Sequence, residues 1–477
     1  MSKNLGIALL LAMVMVITAC GPAATTAAPA PATVAPAPAT AAPATAAPAT
    51  AAPATAAPAG SKVTELKILW AQWSPADYLQ QIGKLYEQET GIKVTVVQEP
   101  WGSFGDRFNV AMAAGGTEWD MVGGDSQWVG QGATAGYYVD LTDFMKKNGI
   151  DKTVTPATLQ YYGEYPAGSG KYWGFPLEGD ADGWAYRTDL FTDPANMSAF
   201  KAKYGYDLAV PTTWAQLMDI AKFFTKPDKS MSGVAIYTQK DYDAITMGFE
   251  NVMFSYGAKW QAPDNTVEGV VNSQASIDAL QYYKDLYDCC QVPGLNNAFY
   301  TETNDAFIGG KAAMAMNYFA FLPALANPST DPYAKVTGYF ANPAGPTGKR
   351  AAALGGQGLN VIAFVSPERQ QASLDFIKWF AQEKIQTQWA ALGGYTCNAN
   401  VLKTDAFMKA TPYNPAFSET MNFVMDFWNI PTYAALLTPS QNHLSAFVVG
   451  GEGTAKSTMD AIAEEQTAAL KNDKVIP

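Results

Sequence analysis

The stretch from Pro22 to Gly60 is built almost entirely from alanine, proline and threonine, and it carries no charged or aromatic side chain. Such a stretch has too little apolar surface to bury in a core, and its prolines favour an extended backbone. We therefore expect a tether that spans about 3.1 Å per residue where it is extended. Any fold has to be built by residues 61–477, which are enough for two ordinary domains or one large bilobed body.

The segment that precedes this tether has the pattern of an export signal. Lys3 is followed by an uncharged, mainly apolar stretch from Leu5 to Ala19, which is too short for a typical membrane span. It ends in Ile-Thr-Ala before Cys20, and this resembles the lipobox of bacterial lipoproteins. The resemblance implies that residues 1–19 are removed and that Cys20 is lipidated. We expect an exported protein, anchored by more than one acyl chain to the outer face of the cytoplasmic membrane or in the periplasm.

Composition limits the kinds of partner that the chain can have. Aromatic residues make up 12% of the chain and charged residues 16%, against about 25% charged residues in typical globular proteins. This balance favours a neutral polar ligand. The formal net charge of −12 opposes binding to nucleic acid and to anionic lipid surfaces. The composition does not exclude a polyamine or another cation as the ligand.

The cysteines and the single histidine argue against a cofactor or a metal built on these residue types. If Cys20 is lipidated, Cys289, Cys290 and Cys397 are left, so at most one disulfide can form among them. Whether Cys289 or Cys290 pairs with Cys397 is not decided by the sequence. No CxxC motif is present, and His443 stands alone, so we expect neither a metal site of this kind nor a cofactor. A calcium site made of oxygen ligands stays open.

The start of the folded body has the pattern of an α/β fold. Leu66 to Trp70 predicts a first strand, an amphipathic helix follows, and Ile92 to Val97 predicts a second strand. This β-α-β unit is typical of a mostly parallel sheet. A third strand is predicted from Trp119 to Val122. In open α/β sheets, ligands bind beyond the carboxyl ends of the strands, which makes Trp73 and the segment from Asp125 to Gln127 candidates.

Two segments in the middle of the chain carry a more specific resemblance. Tyr186-x-x-Asp-Leu-Phe is followed at a distance by Pro-Thr-Thr-Trp from Pro211. Further segments agree in order: Gly310–Met314, Met316–Tyr318, Leu354–Gly358, Trp379–Phe380 and Gly393–Tyr395. From about Leu66 to the C-terminus, the chain resembles family 1 extracellular solute-binding proteins, the group that includes maltose-binding proteins.

The resemblance implies a bilobed α/β fold of the type II periplasmic-binding-protein class, whose two lobes close on a ligand by a hinge motion. The chain would cross between the lobes three times, near 176–182, 339–343 and 378–392. We expect the first lobe to comprise residues 61–178 and 341–385, and the second lobe residues 179–340 and 386–477.

The function implied by the resemblance is binding without catalysis. A monomeric binding protein of an ABC importer would capture a sugar and deliver it to permease subunits in the membrane. In such sites aromatic faces stack on sugar rings, while amide and carboxyl groups bond to hydroxyls. The candidate ligand-binding residues are Trp73, Asp125, Ser126, Gln127, Glu178, Asp182, Trp184, Asn317, Tyr318, Gly355, Gly356, Gln357, Tyr395, Trp428 and Tyr433.

Several candidates also have a purely structural interpretation. Asp125 or Ser126 suits a helix cap, Gly355 and Gly356 suit a tight turn, and Trp184 suits a strand in the core. Trp428 and the tyrosines at 395 and 433 suit packing between helices.

Other functions stay open on the sequence alone. A secreted glycoside hydrolase would use acids such as Glu178 and Asp182, provided that two carboxyl groups lie about 5–5.5 or 6.5–9.5 Å apart. The tether would also suit an adhesion or surface-display protein. If the chain is a binding protein, its solute could be a polyol or a polyamine instead of a sugar. The glycine pairs at 123–124 and 355–356 lack the Gly-Lys-Ser/Thr that marks a phosphate loop.

Overall fold

The computed structural model describes residues 62–241 and 243–477. The predicted signal segment, Cys20 and the tether up to Gly60 lie outside the described residues. The described strands are β1 (Glu65–Ala71), β2 (Lys93–Glu99), β3 (Met121–Asp125), β4 (Phe175–Arg187), β5 (Ser232–Ala235), β6 (Ala312–Tyr318), β7 (Thr337–Ala341), β8 (Ala352–Val361) and β9 (Val424–Met425).

Helices surround these strands and follow local start and stop signals. The first helix has proline near its start and is followed by Gly91, whose φ of 75° suits glycine. Thr213 caps the start of the helix from Trp214 to Phe224, because its side chain accepts a hydrogen bond from the Gln216 backbone N–H at 3.2 Å. The described α-helices are α1 (Ser74–Thr90), α2 (Trp101–Ala113), α3 (Val129–Thr134), α4 (Thr142–Asn148), α5 (Pro156–Gly163), α6 (Thr188–Thr192), α7 (Pro194–Tyr204), α8 (Trp214–Phe224), α9 (Ala244–Ser255), α10 (Gln274–Cys290), α11 (Tyr300–Ile308), α12 (Pro323–Ala326), α13 (Pro367–Phe380), α14 (Glu383–Leu392), α15 (Asp405–Ala410), α16 (Asn414–Thr420), α17 (Tyr433–Val448) and α18 (Ala455–Asn472).

The strands are joined in the order β2-β1-β3-β8-β4-β6-β5, with β7 beside β4 and β9 beside β8. β1 runs parallel to both β2 and β3, which confirms the predicted β-α-β start. β8 runs antiparallel to β3 and to β4. The α/β class predicted from the sequence is therefore confirmed.

β4 passes from one half of the sheet to the other. Its residues from Phe175 to Ala181 pair with β8, whereas those from Asp182 to Arg187 pair with β6 and β7. Two packed hydrophobic clusters lie on the two sides of this change of partner. The first cluster is built mainly from residues 66–181 and 352–424, and the second mainly from residues 184–318 and 427–470.

The packing around residue 385 does not follow the lobe boundary that we expected there. Trp389, Tyr395 and Phe417 belong to the first cluster, because α14 packs against α1 and α16 packs against β4 and β7. The change to the second cluster comes between Val424 and Phe427. We therefore propose that the third crossing lies near residues 425–427 rather than near 378–392; the other lobe boundaries stay predictions.

The cysteines pair differently from the two alternatives that the sequence left open. Cys289 forms a disulfide with its neighbour Cys290, and Cys397 is free and buried. Neither of them pairs with Cys397, because Cys397 packs in the first hydrophobic cluster and Cys290 in the second. None of the helices described in the structure is long and apolar enough to cross a membrane.

Candidate functional site

A cavity lies between the two hydrophobic clusters, where the segments that follow β1 and β3 face the starts of α9 and α11. Both halves of the molecule supply its walls, together with the middle of β4 and β8. The residues that line it are Trp73, Trp101, Asp125, Gln127, Asp180, Asp243, Met247, Phe299, Tyr300, Tyr318, Phe321, Leu354, Gly355, Gly356, Gln357, Asp426 and Phe427.

Aromatic rings in mutual contact form one side of this cavity. Trp73 packs edge-on against Trp101 at 5.3 Å between ring centroids. It also lies 6.5 Å from Phe321 between ring centroids. Phe321 in turn stacks on Tyr300 at 4.1 Å. This wall is apolar and held in place by ring contacts, so it suits the C–H face of a ring-shaped or chain-shaped solute.

Carboxyl and amide groups also line the cavity. Nε2 of Gln127 donates to Oδ2 of Asp243 at 2.8 Å, and Nε2 of Gln441 donates to the other oxygen of Asp243 at 3.3 Å. Oε1 of Gln127 is buried and has no hydrogen-bond partner within the described residues. An acceptor in this position is free to receive a hydrogen bond from a ligand.

Burial changes the acidity of these carboxyl groups. Burial, followed by repulsion from Asp243 and Asp426, raises the pKa of Asp125 to about 8. Burial raises the pKa of Asp243 to about 6 against the opposing hydrogen bond from Gln127. Burial also raises the pKa of Asp426 to about 6, although a hydrogen bond from Ser126 lowers it. Near neutral pH the site therefore contains both protonated and ionised carboxyl groups.

Two glycines of β8 let the backbone approach the cavity closely. Gly356 has a φ of 87°, and a Cβ atom there would lie 2.2 Å from the carbonyl oxygen of Glu178. A Cβ atom on Gly355 would lie 2.5 Å from the ring of Tyr318. Any larger residue would therefore displace the wall of the cavity. The adjacent Gln357 accepts a hydrogen bond from Nε1 of Trp70 at 3.1 Å, which holds its side chain.

The sequence pattern of the bacterial extracellular solute-binding proteins matches residues 72–387, which is well over half of the chain and includes most of the cavity wall. The chain belongs to this family. Family members are binding proteins, which fits a cavity between two halves of a molecule.

One curated relative of this solute-binding protein is a probable ABC transporter-binding protein of Deinococcus radiodurans. The two are 26% identical over 248 residues, which is 51% of this chain and 56% of the relative. The match thus spans about half the length of the curated relative.

Solved structures of other solute-binding proteins share the fold. An ABC transporter solute-binding protein from Agrobacterium radiobacter in complex with ribitol has a TM-score of 0.72 at 23% identity, over 86% of this chain and 99% of that chain. Maltose-bound MalE3 of T. maritima has a TM-score of 0.71 at 23% identity, over 85% and 99%. The predicted type II periplasmic-binding-protein fold is thereby confirmed.

Seven of the predicted ligand-binding residues of this solute-binding protein line the cavity. They share a place at the end of a strand or within β8: Trp73, Asp125, Gln127, Tyr318, Gly355, Gly356 and Gln357. The strand-end rule places Trp73 after β1, Asp125 and Gln127 at the end of β3, and Tyr318 at the end of β6.

Three further candidates are buried in the second half of the molecule and do not line the cavity. Asp182 accepts a hydrogen bond from Asn251 at 2.7 Å. Trp184 stacks on Phe340 and is fully buried. Asn317 is fully buried as well, and its amide donates to the backbone of α11, at Tyr300, at 3.0 Å. Trp184 and Asn317 have internal hydrogen-bond partners. In Asp182, one carboxyl oxygen bonds to Asn251 and the other has no hydrogen-bond partner within the described residues.

Glu178 lies next to the cavity without lining it. Its side chain is fully buried, and both carboxyl oxygens lack hydrogen-bond partners within the described residues. Burial, followed by repulsion from Asp180, raises its pKa well above the usual range. Asp180 is the acid of this segment that reaches the cavity wall. Its carboxyl group also accepts hydrogen bonds from the backbone N–H groups of Ala181 and Ala320 at 2.8 and 3.2 Å.

The last four predicted residues lie around the cavity rather than on its wall. Ser126 follows Asp125 and is buried. The hydroxyl of Tyr395 donates to the carbonyl of Phe319, beside a neighbouring groove. Trp428 packs against Trp260 at 4.7 Å between ring centroids, and half-buried Tyr433 contacts both hydrophobic clusters.

Ten lining residues were not among the predicted set: Trp101, Asp180, Asp243, Met247, Phe299, Tyr300, Leu354, Phe321, Asp426 and Phe427. Trp101 follows β2 after one residue, so the rule that found Trp73 would also have found it. Asp243 and Asp426 come from a loop and from the segment between the two clusters, where no periodic pattern points to a site. Within residues 62–241 and 243–477, no three His, Cys, Asp or Glu side chains are arranged to hold a metal ion.

Proposed function

We propose that this protein captures a sugar or polyol in the cavity between its two lobes and delivers it to the permease subunits of an ABC importer. The observation that supports the proposal most is the make-up of the cavity. Its aromatic wall and its carboxyl and amide groups come from both sides of the cleft. The names of the relatives agree with it, since one is a probable ABC transporter-binding protein and others are described with ribitol and with maltose.

In this proposal, the two kinds of wall have different roles. Trp73, Trp101 and Tyr300 cover the apolar faces of the solute, while Asp125 and Gln127 bond to its hydroxyls. Each neutral hydrogen bond contributes about 0.5–1.5 kcal/mol net, and a bond to an ionised carboxylate contributes about 1.5–3 kcal/mol. A solute lacking a matching hydroxyl would leave a buried polar group unpaired, which gives selectivity.

Binding is proposed to be coupled to a hinge motion of the lobes. The segments that join the two lobes in our proposal are the middle of β4, the connection from β7 to β8, and residues 425–427. Opening about these segments would separate Gln127 from Asp243 and admit the solute. The closed lobes would then present the surface that the permease subunits recognise.

We further propose that the protein binds its solute without chemical change and acts as a monomer. Membership in a family of binding proteins supports binding without chemical change. Incubation with oligosaccharides and nitrophenyl glycosides over several hours should release no product. Release of sugar that stops when Asp125 or Asp426 is replaced by Asn would support a glycoside hydrolase instead.

The proposed location is the outer face of the cytoplasmic membrane, with Cys20 as the lipidated residue. The apolar N-terminal stretch and the lipobox-like sequence before Cys20 support it. Cells expressing the full chain should incorporate labelled palmitate into the protein, and Cys20→Ala should abolish the label and release the protein from membranes. Label that persists in Cys20→Ala would contradict lipidation at this residue.

Thermal unfolding against a panel of solutes tests the proposed function. A ligand that binds only the folded state stabilises it by about 2.7 kcal/mol at a concentration of one hundred times its Kd. We expect a rise in Tm with at least one sugar or polyol and none with amino acids. A rise with amino acids alone would contradict the proposed solute class.

A further inference from the structure

The side chains on the cavity wall that can carry a charge at neutral pH are all acidic. Four carboxyl groups line it, those of Asp125, Asp180, Asp243 and Asp426. Among the described residues on this wall, none is lysine, arginine or histidine. When the cleft closes, any ionised member of this group is removed from water without a basic partner from the wall.

Three of these acids act on one another, namely Asp125, Asp243 and Asp426, and we call them the acidic cluster. All three line the same cavity, and repulsion from Asp243 and Asp426 contributes to the raised pKa of Asp125. Asp243 and Asp426 are each 9% exposed. The described residues hold no group of three acids arranged for a metal ion. We therefore expect the charge that balances the cluster to come with the solute.

Two further observations point to an ammonium group as that charge. Gln127 is 4% exposed, lines the same cavity and keeps an unpartnered Oε1 beside its bond to Asp243. An ammonium group has three N–H donors, enough to reach several acceptors at once. Aromatic rings also border the cavity, and their faces attract cations. A hydroxyl group has a single donor and carries no charge.

Asp243 lies on the cavity wall in a left-handed backbone conformation. Asp243 has a φ of 63°, in the left-handed region that costs energy for residues with a side chain. Asp243 lines the cavity just before α9, where Gln127 and Gln441 donate hydrogen bonds to its two carboxyl oxygens.

We propose that the cavity takes a polyhydroxylated solute that carries a protonated amine, and that the acidic cluster holds the ammonium group. The inference rests on the proposed function, because it adds the amine to the sugar or polyol expected there. The aromatic wall covers the body of the solute, and the hydroxyls bond to the remaining polar groups. The net charge of −12 further favours the approach of a cation.

Calorimetric titration of the purified full chain at pH 7 with matched pairs of probes tests this. The pairs are glucose with glucosamine, galactose with galactosamine, and sorbitol with glucamine, so each pair differs in one hydroxyl replaced by an amine. Charge-assisted hydrogen bonds predict at least about fivefold tighter binding of the amine in the pair that fits the cavity. N-acetylglucosamine, in which the amine is neutral, should lose this advantage.

Two variants locate the effect at the acidic cluster. Asp243→Asn and Asp426→Asn should each reduce the preference for the amine over its hydroxyl partner, and asparagine tolerates the left-handed backbone at 243. Asp207→Asn is the matched control, because it removes the same charge from a side chain that is 73% exposed. It should leave the preference unchanged. A preference that survives both cluster variants would overturn the inference.

The probes separate failure of this inference from failure of the proposed function. If the neutral member of each pair binds as tightly as the amine or more tightly, the inference that the solute carries an amine is overturned. The proposed sugar or polyol function then stays supported. Spermidine has amines and no hydroxyls. Binding of spermidine together with no binding of any sugar, amino sugar or polyol overturns the proposed function and the polyhydroxylated part of the inference.

Discussion

Gln127 and Asp243 are 116 residues apart in the chain and are joined by a 2.8 Å hydrogen bond from Nε2 to Oδ2. Gln127 follows β3 in the first half of the molecule, and Asp243 precedes α9 in the second. The bond therefore ties the two halves together at the cavity wall. Since the acceptor is a carboxylate, it belongs to the stronger class of protein hydrogen bonds.

Gln127→Ala should weaken solute binding by about 10- to 100-fold, because it removes a bond to a charged acceptor that is worth about 1.5–3 kcal/mol. The measurement is calorimetric titration with the tightest solute of the panel. Gln441→Ala is the matched control, since Gln441 donates to the same carboxylate at 3.3 Å from its own side of the cleft. Equal losses in both variants would argue against a role of the Gln127 bond in closure.

Trp73→Ala should weaken binding by about tenfold or more, because it removes the ring that contacts both Trp101 and Phe321 and leaves a gap in the aromatic wall. Trp73→Phe keeps a ring and should restore most of the affinity. Any deficit that remains reports the smaller ring together with the loss of the indole N–H, whose nitrogen has no hydrogen-bond partner within the described residues. Quenching of tryptophan fluorescence on titration gives the Kd of each variant. Unchanged affinity in the alanine variant would show that the solute binds elsewhere.

Stability of the solute-free protein should fall as the pH rises from about 4 to about 8. Burial and repulsion raise the pKa of Asp125 to about 8 from an ordinary value of 3.8, so the folded state binds more protons than the unfolded state in this window. The stabilisation is complete below the unfolded pKa and is lost as the pH passes through the folded pKa. Asp243 and Asp426, with pKa values raised to about 6, add to the fall at its lower end.

Thermal unfolding of the wild-type protein and of Asp125→Asn between pH 5 and pH 9 checks this dependence. The variant should have a flatter profile between pH 6 and pH 8.5, since its side chain does not titrate. Asp207→Asn, which alters an exposed acid, should keep the wild-type slope. A wild-type protein that becomes more stable over this range would contradict the raised pKa.

Trp184→Ala should lower the free energy of unfolding by about 3–5 kcal/mol, because it opens a cavity in the second hydrophobic cluster. Its ring is fully buried, stacks on Phe340, and donates from Nε1 to Asn342 at 2.8 Å. Solute affinity of the folded fraction at 25 °C should be unchanged. Trp184→Phe should recover part of the stability. A variant that keeps its stability and loses affinity would restore the sequence-based interpretation of Trp184 as a ligand-binding residue.

The sequence predicted the α/β class and the strand-end part of the site because both follow from local patterns. Alternation and helix periodicity marked β1, α1 and β2, and polar residues after the strands marked Asp125 and Gln127. The same logic extends to Trp101, which follows β2. These positions need no knowledge of how distant segments pack.

The acidic segment of β4 shows where local patterns stop being sufficient. Glu178, Asp180 and Asp182 occupy every second position of β4, yet of these three only Asp180 lines the cavity. Glu178 lies beneath Gly356 of β8, and Asp182 bonds to Asn251 of α9. The packing around β4 decides which of the three acids lines the cavity. The elements that pack there come from remote parts of the chain, so the local pattern does not predict the result.

Composition also gave an incomplete picture of the solute. A low share of charged residues favoured a neutral ligand, but the average over 477 residues does not show where the charges gather. Asp243 and Asp426 are 183 residues apart in sequence and meet only through the fold, as the loop before α9 and the segment after β9 reach one wall. The cavity is therefore more acidic than the chain as a whole suggests.

A crystal structure of the protein with the tightest-binding solute of the panel tests the central claim most directly. We expect electron density for the solute in the cavity between the two lobes, with contacts to Trp73 on one side and Tyr318 on the other and a polar group of the solute bonded to Oε1 of Gln127. Density in a surface groove, or contacts confined to one lobe, would contradict the proposed site.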